Sequence, residues 1–351
     1  MLEAGKVSEQ TLKNSIFPQS GAQRSEVIAG PSYGVDVSLV AINDSLTMAL
    51  TSDPLSYIPS IGMEASAWLS VHLMVNDIIT TTVKPSFLQL VLNLPEEVTA
   101  AAFEEYWSHI HSICQGLNIS ITGGHTGLIP GLVSTISGGG TLISVGEKKE
   151  FLLSNRAEPG DLLYMSKHCA MSSSALLAMS FPEYIKRKCG KEVWEKASEQ
   201  FYETSVFKEG VLASELNKSA PVVKAMHDVT EGGVYGAIYE MAVAANVGVR
   251  INDWQLPKSE ITQKLCSAFD LDHRYCIGAG SMIFAVNPEN KVVFEREMST
   301  HKVPVTALGE FLEPEEGKSI KQSDGQLVKL KGGGKDPYWE AYFKAFTEEW
   351  K

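Results

Sequence analysis

The sequence has few of the features that mark secreted, membrane-spanning or zinc-knuckle proteins. Only five of its 351 residues are cysteine, and no two of them form a C-x-x-C pair. We therefore expect neither a disulfide framework nor a zinc knuckle. No apolar run approaches the length that spans a bilayer, and the opening residues lack the basic and apolar regions of a signal peptide. These absences predict a cytoplasmic protein with no membrane role.

Positive charge is also scarce, since 30 lysine and arginine residues stand against 42 aspartate and glutamate residues, which gives a net charge of −12. Broad binding to nucleic acid relies on many basic side chains that neutralise phosphates, so we expect no nucleic-acid partner. An acidic protein still binds a nucleotide where metal ions mediate the contact.

Alternating apolar and polar patterns predict a two-domain α/β protein, which agrees with a length of about 150 residues per domain. In the first half, the patterns predict strands at 37–43, 46–51 and 86–94, helices at 61–78 and 95–117, and a strand, glycine break and strand within 131–147. In the second half, they predict a strand at 162–166, helices within 169–219, a helix after residues 232–233 and a strand at 281–287.

A polar segment with Pro-Gly punctuation, 154–161, predicts a domain boundary. We expect an N-terminal domain over 1–155, a C-terminal domain over 156–330 and a helical tail over 331–351. The tail carries four aromatic residues spaced four apart: Tyr338, Tyr342, Phe346 and Trp350. This spacing is typical of a helix that docks its aromatic face on the body of the protein.

Four aspartates stand where predicted strands and helices begin or end: Asp36, Asp53, Asp77 and Asp228. Asp36 lies at the entry of a strand, Asp53 just beyond the next strand, and Asp77 at the end of a helix. Gathered in one place, such carboxylates would supply the oxygen ligands that Mg²⁺ requires. Any one of them alone is more typical of a turn or a helix cap.

The segment "HDVTEGGVYGAIYEMAVAA" has the apolar spacing of a helix that begins after its glycine pair. Backbone N–H groups at a helix N-terminus can hold a phosphate, which makes Thr230, Gly232 and Gly233 candidates for an anion site. An ordinary cap, with glycines that allow close packing against a strand, is an equal alternative.

The glycine-dense segment "ITGGHTGLIPG" predicts a turn where the backbone approaches a ligand, with His125 and Thr126 within reach of the same site. It is neither a Walker A loop nor a G-x-G-x-x-G fingerprint. A lone histidine in a turn is more often structural than catalytic. The sequence also has no G-x-S-x-G elbow, so no serine nucleophile of that type is expected.

Taken in order, "GVDVSLV", "TSDPL", "VNDI", "TGGHT", "EPGD" and "HDVTEGGV" resemble the motifs of the PurM-like superfamily, the aminoimidazole-ribonucleotide-synthetase-related proteins. This superfamily includes that purine enzyme, thiamine-monophosphate kinase, selenophosphate synthetase and HypE. The resemblance extends from the first residues to about residue 312. It is closest to HypE-like hydrogenase expression/formation proteins, which share the style of "SIFPQSGAQRSEVIAGPSYGVD" and "GGHTG".

The resemblance implies a two-domain PurM-like α/β (α+β) fold, in which sheets of the N-terminal domains pair in a homodimer and the C-terminal domain is an α/β sandwich. ATP and Mg²⁺ would bind in a cleft near that pairing. The γ-phosphoryl group would pass to an oxygen atom of a small-molecule acceptor or carbonyl group, a transfer that depends mainly on positioning and charge neutralisation.

The resemblance also implies a role for each motif residue. Mg²⁺ would be held by Asp36, Asp53 and Asp77. Other cofactor contacts would come from Asn76, Gly123, Gly124, Thr126, Gly232 and Gly233. The catalytic residues would be Asp228, His125 and Thr230.

Three departures from the family pattern leave other functions open. HypE proteins end in a cysteine, whereas this sequence ends "TEEWK"; the N-terminal Cys or Sec motif of selenophosphate synthetases is absent. His125 stands where kinase and maturation members commonly have an acid. A non-catalytic nucleotide-binding paralogue, acting as a sensor or scaffold, is therefore the alternative. A metal-independent binding module, with the aspartates as caps only, is a weaker one.

Overall fold

The computed structural model describes residues 6–132, 135–332 and 334–350 and arranges them around two mixed β-sheets. Parts of three predicted features lie outside the described residues: the chain ends at 1–5 and 351, the start of the predicted strand within 131–147, and one glycine of the tail. Two sheets with helices packed against them confirm the predicted α/β class. The domain limits at residues 155 and 330 stay a prediction.

The first sheet has six strands in the order β1-β2-β3-β6-β4-β5. Their bounds are β1 Val27–Ala29, β2 Ser38–Ala41, β3 Leu46–Ser56, β4 Phe87–Pro95, β5 Ser120–Ile129 and β6 Ile136–Glu147. A three-residue helix, α1 Glu9–Thr11, precedes them, and α2 Met63–Ile79 and α3 Ala100–Gly116 cover one face. On β4, side chains alternate between buried and exposed, because one face of the sheet packs on these helices and the other does not.

Helix α2 lies at the centre of the molecule and is buried on almost every side. It packs on the first sheet through residues such as Val71 and Met74, while Ile79 joins the core of the second half of the chain. A helix that is apolar all round needs such packing on several faces. The position of α2 therefore connects the two sheets.

The second sheet has seven strands in the order β13-β12-β9-β11-β7-β10-β8. Their bounds are β7 Leu162–Ser166, β8 Val223–Asp228, β9 Gly248–Asn252, β10 Met282–Val286, β11 Val305–Leu312, β12 Lys318–Lys321 and β13 Leu327–Lys329. The helices are α4 Met171–Ser180, α5 Pro182–Cys189, α6 Lys191–Gln200, α7 Phe207–Asn217, α8 Gly233–Ala244, α9 Glu260–Ala268, α10 Lys291–Thr300 and α11 Pro337–Thr347. Every residue of β10 is buried, because helices cover both faces of this sheet.

The tail helix α11 docks on the body of the protein as its aromatic spacing predicts. Tyr338 is buried in a cluster with helices α4, α5 and α9, and Trp350 stacks on Tyr184 with 4.1 Å between ring centroids. Phe346, in contrast, is largely exposed. No helix in the described ranges is long and apolar enough to cross a membrane.

Four local predictions were wrong. Asp53 lies inside β3 and not beyond it, and "ITGGHTG" forms part of strand β5 and not a turn. The helix predicted over 95–117 begins only at Ala100, after the Thr99 cap. Strand β6 runs through its glycines without a break, because neighbouring strands pair with it on both sides. In each case tertiary pairing or a cap overrides the local signal.

Candidate functional site

Acidic side chains from both halves of the chain gather where the two sheets approach each other. Asp36 precedes β2, Asp53 lies in β3, and Asp77 lies in the last turn of α2. Asp228 is the last residue of β8 and comes from the second sheet. We call this group the acidic cluster.

Asp228 forms the buried centre of the acidic cluster. Oxygen atoms of Asp36 and Asp228 and a ring nitrogen of His227 all lie within 4.8 Å of one another. Asp228 is only 1% exposed, yet within the described chain neither of its carboxylate oxygens has a hydrogen-bond partner. Oδ2 of Asp36 is also buried without one. Buried acceptors normally find donors, so bare carboxylates in this position indicate a site for a cation.

Burial, together with repulsion between neighbouring carboxyl groups, raises the pKa values in the acidic cluster. Burial, followed by the charges of Asp228, Asp53 and Asp36, raises the pKa of Asp77 well above its ordinary value. Burial also raises the pKa of Asp228 to about 7 and that of Asp53 to about 6. A hydrogen bond opposes this effect at Asp77, whose Oδ2 accepts from the Thr51 hydroxyl at 2.8 Å. The four predicted aspartates are therefore electrostatic neighbours.

His227 supplies a buried positive charge that the sequence analysis missed. Its Nδ1 donates to the backbone carbonyl of Asp228 at 2.7 Å and lies 3.5 Å from Oδ2 of Asp36, while its Nε2 lies 3.4 Å from Glu240. Burial alone would lower the pKa of His227, but the surrounding carboxylates raise it to about 9. With both nitrogens facing oxygen atoms, His227 acts as a counter-charge and not as a metal ligand. Its place beside Asp228 in "HDVTEGG" was the only signal.

Lys6 brings a second positive charge to the acidic cluster. Its ammonium group donates to the Thr230 hydroxyl at 3.0 Å, and its backbone N–H donates to Glu231 at 2.7 Å. Lys6 is exposed as a residue, but its ammonium group lies among acids: desolvation would lower its pKa, and the carboxylates of Glu240, Asp36 and others raise it. The sequence holds no signal for this contact, which joins residues 224 apart along the chain.

The residues at the start of α8 make different contacts: Thr230 reaches the acidic cluster, whereas the glycines serve packing and a hydrogen bond within the chain. Thr230 contacts Lys6 at the edge of the acidic cluster. The N–H of Gly232, however, already donates to Oδ2 of Asp336 at 2.8 Å. Gly233 has φ +64°, and an added Cβ would lie 2.5 Å from the carbonyl oxygen of Arg274. Gly233 thus serves close packing, and a carboxylate of the same chain occupies the N–H of Gly232.

The side-chain amide of the predicted cofactor residue Asn76 is hydrogen-bonded to backbone of the second half of the chain. It is completely buried, donates to the carbonyl oxygen of Thr204 at 3.0 Å and accepts from the N–H of Val206 at 2.9 Å. Both polar atoms of the side chain are therefore already paired within the chain.

The structure does not bring the β5 residues to the acidic cluster of the same chain. Asp53 pairs with Gly140, Gly140 with Leu90, and Leu90 with Gly124, so Gly124 lies three strands away. At a strand spacing of about 4.8 Å, this is roughly 14 Å. The predicted residues Gly123, Gly124, His125 and Thr126 are all exposed on this strand.

Two family models cover most of the chain. The model described as AIR synthase related protein, N-terminal domain, matches residues 34–144, and the corresponding C-terminal domain model matches residues 158–322. Asp36, Asp53 and Asp77 fall in the first match and Asp228 in the second, whereas Lys6 lies outside both.

Relatives of the chain include two kinds of kinase and a hydrogenase expression/formation protein. Selenide, water dikinase of Methanococcus maripaludis is 25% identical over 234 residues, which cover 63% of this chain and 67% of the relative. Thiamine-monophosphate kinase of Pyrococcus abyssi is 28% identical over 240 residues, covering 67% and 71%. A putative hydrogenase expression/formation protein of Methanocaldococcus jannaschii is 26% identical over 230 residues, covering 63% and 62%.

Solved structures share the fold over most of the chain. HypE of E. coli has a TM-score of 0.69 at 18% identity and covers 83% of this chain and 88% of its own. AaThiL complexed with AMPPCP and TMP has a TM-score of 0.66 at 18% identity, covering 86% and 91%. HypE in complex with ATP has a TM-score of 0.64 at 17% identity, covering 96% and 98%. The PurM-like two-domain fold predicted from the motifs is confirmed.

Proposed function

The chain belongs to the AIR synthase related protein family, and we propose that it is an ATP- and Mg²⁺-dependent enzyme. It would transfer the γ-phosphoryl group of ATP to an oxygen atom of a small acceptor or of a carbonyl group and so activate that acceptor. The named relatives include two kinds of kinase and HypE proteins, and solved relatives hold ATP or AMPPCP.

One observation carries the proposal: carboxylates from both halves of the chain converge, and the buried oxygens of Asp228 have no hydrogen-bond partner among the described residues. Hard cations such as Mg²⁺ prefer oxygen ligands and bind one or two carboxylates together with substrate phosphates. The oxygens of Asp36 and Asp228 lie within 4.8 Å of each other and therefore fit Mg²⁺, and Asp53 and Asp77 are near enough to act on the same group electrostatically. When bound, the metal would neutralise charge on the transferred phosphoryl group.

The residues of the chain would position and balance the reactants. His227 offsets the charge of Asp36 and Asp228, which keeps these acids together before a metal binds. Lys6 places an ammonium group beside the hydroxyl of Thr230, where a phosphate oxygen can accept from both. No protein nucleophile is required for direct phosphoryl transfer.

We further propose that a second copy of the chain covers the outer face of the first sheet. Large apolar side chains are exposed there, including Phe87 and Val91 on β4 and Ile129 on β5. An apolar sheet face of this kind is typical of an interface between subunits. Such pairing would bring β5 of one protomer toward the nucleotide cleft of its partner, and so give His125 and Thr126 the contacts that a single chain does not.

Substitution of Val91 by Asp tests this interface. Burial of a valine stabilises an interface by about 1.5–3 kcal/mol, so the variant should dissociate at roughly tenfold or higher concentration in analytical ultracentrifugation. Val328→Asp is the matched control, since Val328 is similarly exposed on β13 of the second sheet. Equal dissociation constants for the two variants would contradict the proposed face.

Isothermal titration with ATP and Mg²⁺, followed by a screen of small metabolites for acceptor-stimulated ADP release, tests the proposed function. Binding together with stimulated ADP release is the expected result. If neither ATP nor a non-hydrolysable analogue binds in the presence of Mg²⁺, the proposal fails.

A second candidate function is a non-catalytic nucleotide sensor or scaffold. The contact of Asp336 with the N–H of Gly232 favours it, because the carboxylate occupies a donor that the phosphate site would use. Tight ATP binding without ADP release across a broad panel of acceptors would support this function. Any acceptor that stimulates ADP release would exclude it.

A further inference from the structure

A short segment between α6 and α7, residues 203–206, lies between the two halves of the molecule. From the first half, the Asn76 amide holds it through the carbonyl of Thr204 at 3.0 Å and the N–H of Val206 at 2.9 Å. The indole N–H of Trp68, two turns earlier in α2, donates to the Thr204 hydroxyl at 3.0 Å. We call this segment and its side-chain contacts the joint.

From the second half, Lys167 holds the same segment. Its ammonium group donates to the carbonyls of Glu203 at 3.0 Å and Ser205 at 2.7 Å. It also donates to the carbonyl of Gly280 at 2.9 Å and pairs with the buried carboxylate of Glu209 at 3.0 Å. Lys167 directly follows β7, so these bonds fix the segment to the second sheet at the C-terminal end of β7.

The joint and Asp228 lie at the same end of the sheet, because β7 and β8 both pair antiparallel with β10 and so end on the same side. An added Cβ on Gly280 would lie 2.6 Å from the Cα of Thr204, so only glycine allows this close approach. Met282, two residues further along, pairs with Asp228 in the register of β10 and β8. Hydrogen bonds and short backbone segments therefore connect Asn76, through the joint and Lys167, to the strand beside Asp228.

We infer that Asn76 is a positioning residue that fixes the carboxylate of Asp77 relative to that of Asp228. The two acids lie in different halves of the chain, and Asn76 directly precedes one of them in α2. A shift of one half against the other would separate the carboxylates, and a displacement of about 1 Å in a catalytic site can reduce the rate by about 100-fold. The inference rests on the proposed function, since it assumes that both acids act on one metal ion.

Asn76→Ala tests the inference, with Asn217→Ala as its matched control. The Asn217 side chain makes an equivalent clamp: it donates to the carbonyl of Val223 at 2.7 Å and accepts from the N–H groups of Val222 and Val223. That clamp lies at the start of β8, at the opposite end of the strand from Asp228. Both variants lose side-chain bonds to backbone, but only one of them lies between the two halves.

Mn²⁺ binding in the presence of AMPPCP is the measurement, made by titration calorimetry together with thermal unfolding. Loss of a residue that orients metal ligands weakens metal affinity by about 10–100-fold, and this is the result expected for Asn76→Ala. We expect less than a twofold change for Asn217→Ala at a similar loss of thermal stability. Equal Mn²⁺ affinities in the two variants would overturn the inference. If the wild-type protein binds no Mn²⁺, the proposed function fails instead.

Trp68→Phe keeps the test decisive if Asn76→Ala does not fold. It removes one hydrogen bond of the joint and keeps an aromatic ring in α2. We expect roughly threefold weaker Mn²⁺ binding, which corresponds to the low end of a single hydrogen bond. A folded Trp68→Phe protein with wild-type Mn²⁺ affinity would then overturn the inference.

Discussion

Asn76 and Asp77 are neighbours in one helix, yet their surroundings differ completely. The amide of Asn76 meets one donor and one acceptor of the joint, so each of its polar atoms has a partner. The carboxylate of Asp77 meets a single hydroxyl and the repulsion of three other acids. A side chain whose polar atoms are paired within the chain is typical of a structural role. A buried carboxylate that is held close to other carboxylates indicates a site for a cation. Two adjacent polar residues of one motif can therefore have different roles, and their hydrogen-bond partners distinguish those roles.

The largest effect is expected from Asp77→Asn, which removes charge from the acidic cluster and keeps its shape. Affinity for Mg²⁺ and ATP should fall by at least the roughly 100-fold that supporting residues alone can contribute. The metal-free protein should become more stable, because the repulsion from Asp228, Asp53 and Asp36 is relieved. Calorimetric titration and thermal unfolding measure the two effects.

Asp44→Asn is the matched control for that substitution. It removes the same charge from an exposed turn between β2 and β3. Neither affinity nor stability should change appreciably. If Asp77→Asn binds Mg²⁺ and ATP as tightly as Asp44→Asn does, then Asp77 has a structural role and does not hold the metal.

Lys6→Met tests the contribution of a positive charge beside the acidic cluster. Removal of a charged hydrogen-bond donor costs about 1.5–3 kcal/mol, so ATP affinity should fall by roughly tenfold or more. The metal-free protein should lose stability, since the acids lose a counter-charge. Lys13→Met is the control, because Lys13 pairs with Glu9 at the surface. Tighter ATP binding by Lys6→Met would show that this side chain blocks the site instead.

The smallest effect is a pH dependence of stability that the joint does not share. Asp53 and Asp228 have raised pKa values of about 6 and about 7, so the folded protein holds protons that the unfolded chain releases above about pH 4. Their contribution to stability is therefore lost as pH rises from about 4 to 7. His227, with a pKa raised to about 9, adds a loss between about pH 6.5 and 9.

Thermal unfolding of the metal-free protein between pH 5 and 8 measures this dependence. The melting temperature should fall by a few degrees as pH rises, and Mg²⁺ with ATP should restore more stability at pH 8 than at pH 5. Asp228→Asn should flatten the profile. A profile that rises with pH, or one that this substitution leaves unchanged, would contradict the repulsion described here.

Much of the fold and part of the candidate site were predictable from local sequence. Strand β7 and helix α8 follow from apolar patterns, and the resemblance to the PurM-like motifs implied that Asp36, Asp53 and Asp77 meet, with Asp228 facing them from the second half. The metal role of these residues stays a prediction. The turn predicted at "ITGGHTG" was wrong, because pairing with β4 decides the conformation of β5 and local glycine content does not.

The partners of the acidic cluster were not predictable in the same way. Lys6 reaches Thr230 across 224 residues, and Asn76 reaches Thr204 across 128. Neither contact leaves a periodicity, a spacing or a turn signal in the sequence. A fully buried asparagine and a metal-supporting asparagine also look the same in a motif, so only the hydrogen-bond partners distinguish them.

Anomalous scattering from Mn²⁺ in crystals grown with AMPPCP tests the central claim most directly. If the carboxylates of both halves form one cation site for a triphosphate, a strong peak should lie among Asp36, Asp53, Asp77 and Asp228, beside the phosphates. Bound AMPPCP without a peak there, or Mn²⁺ only at surface acids remote from Asp228, would contradict it.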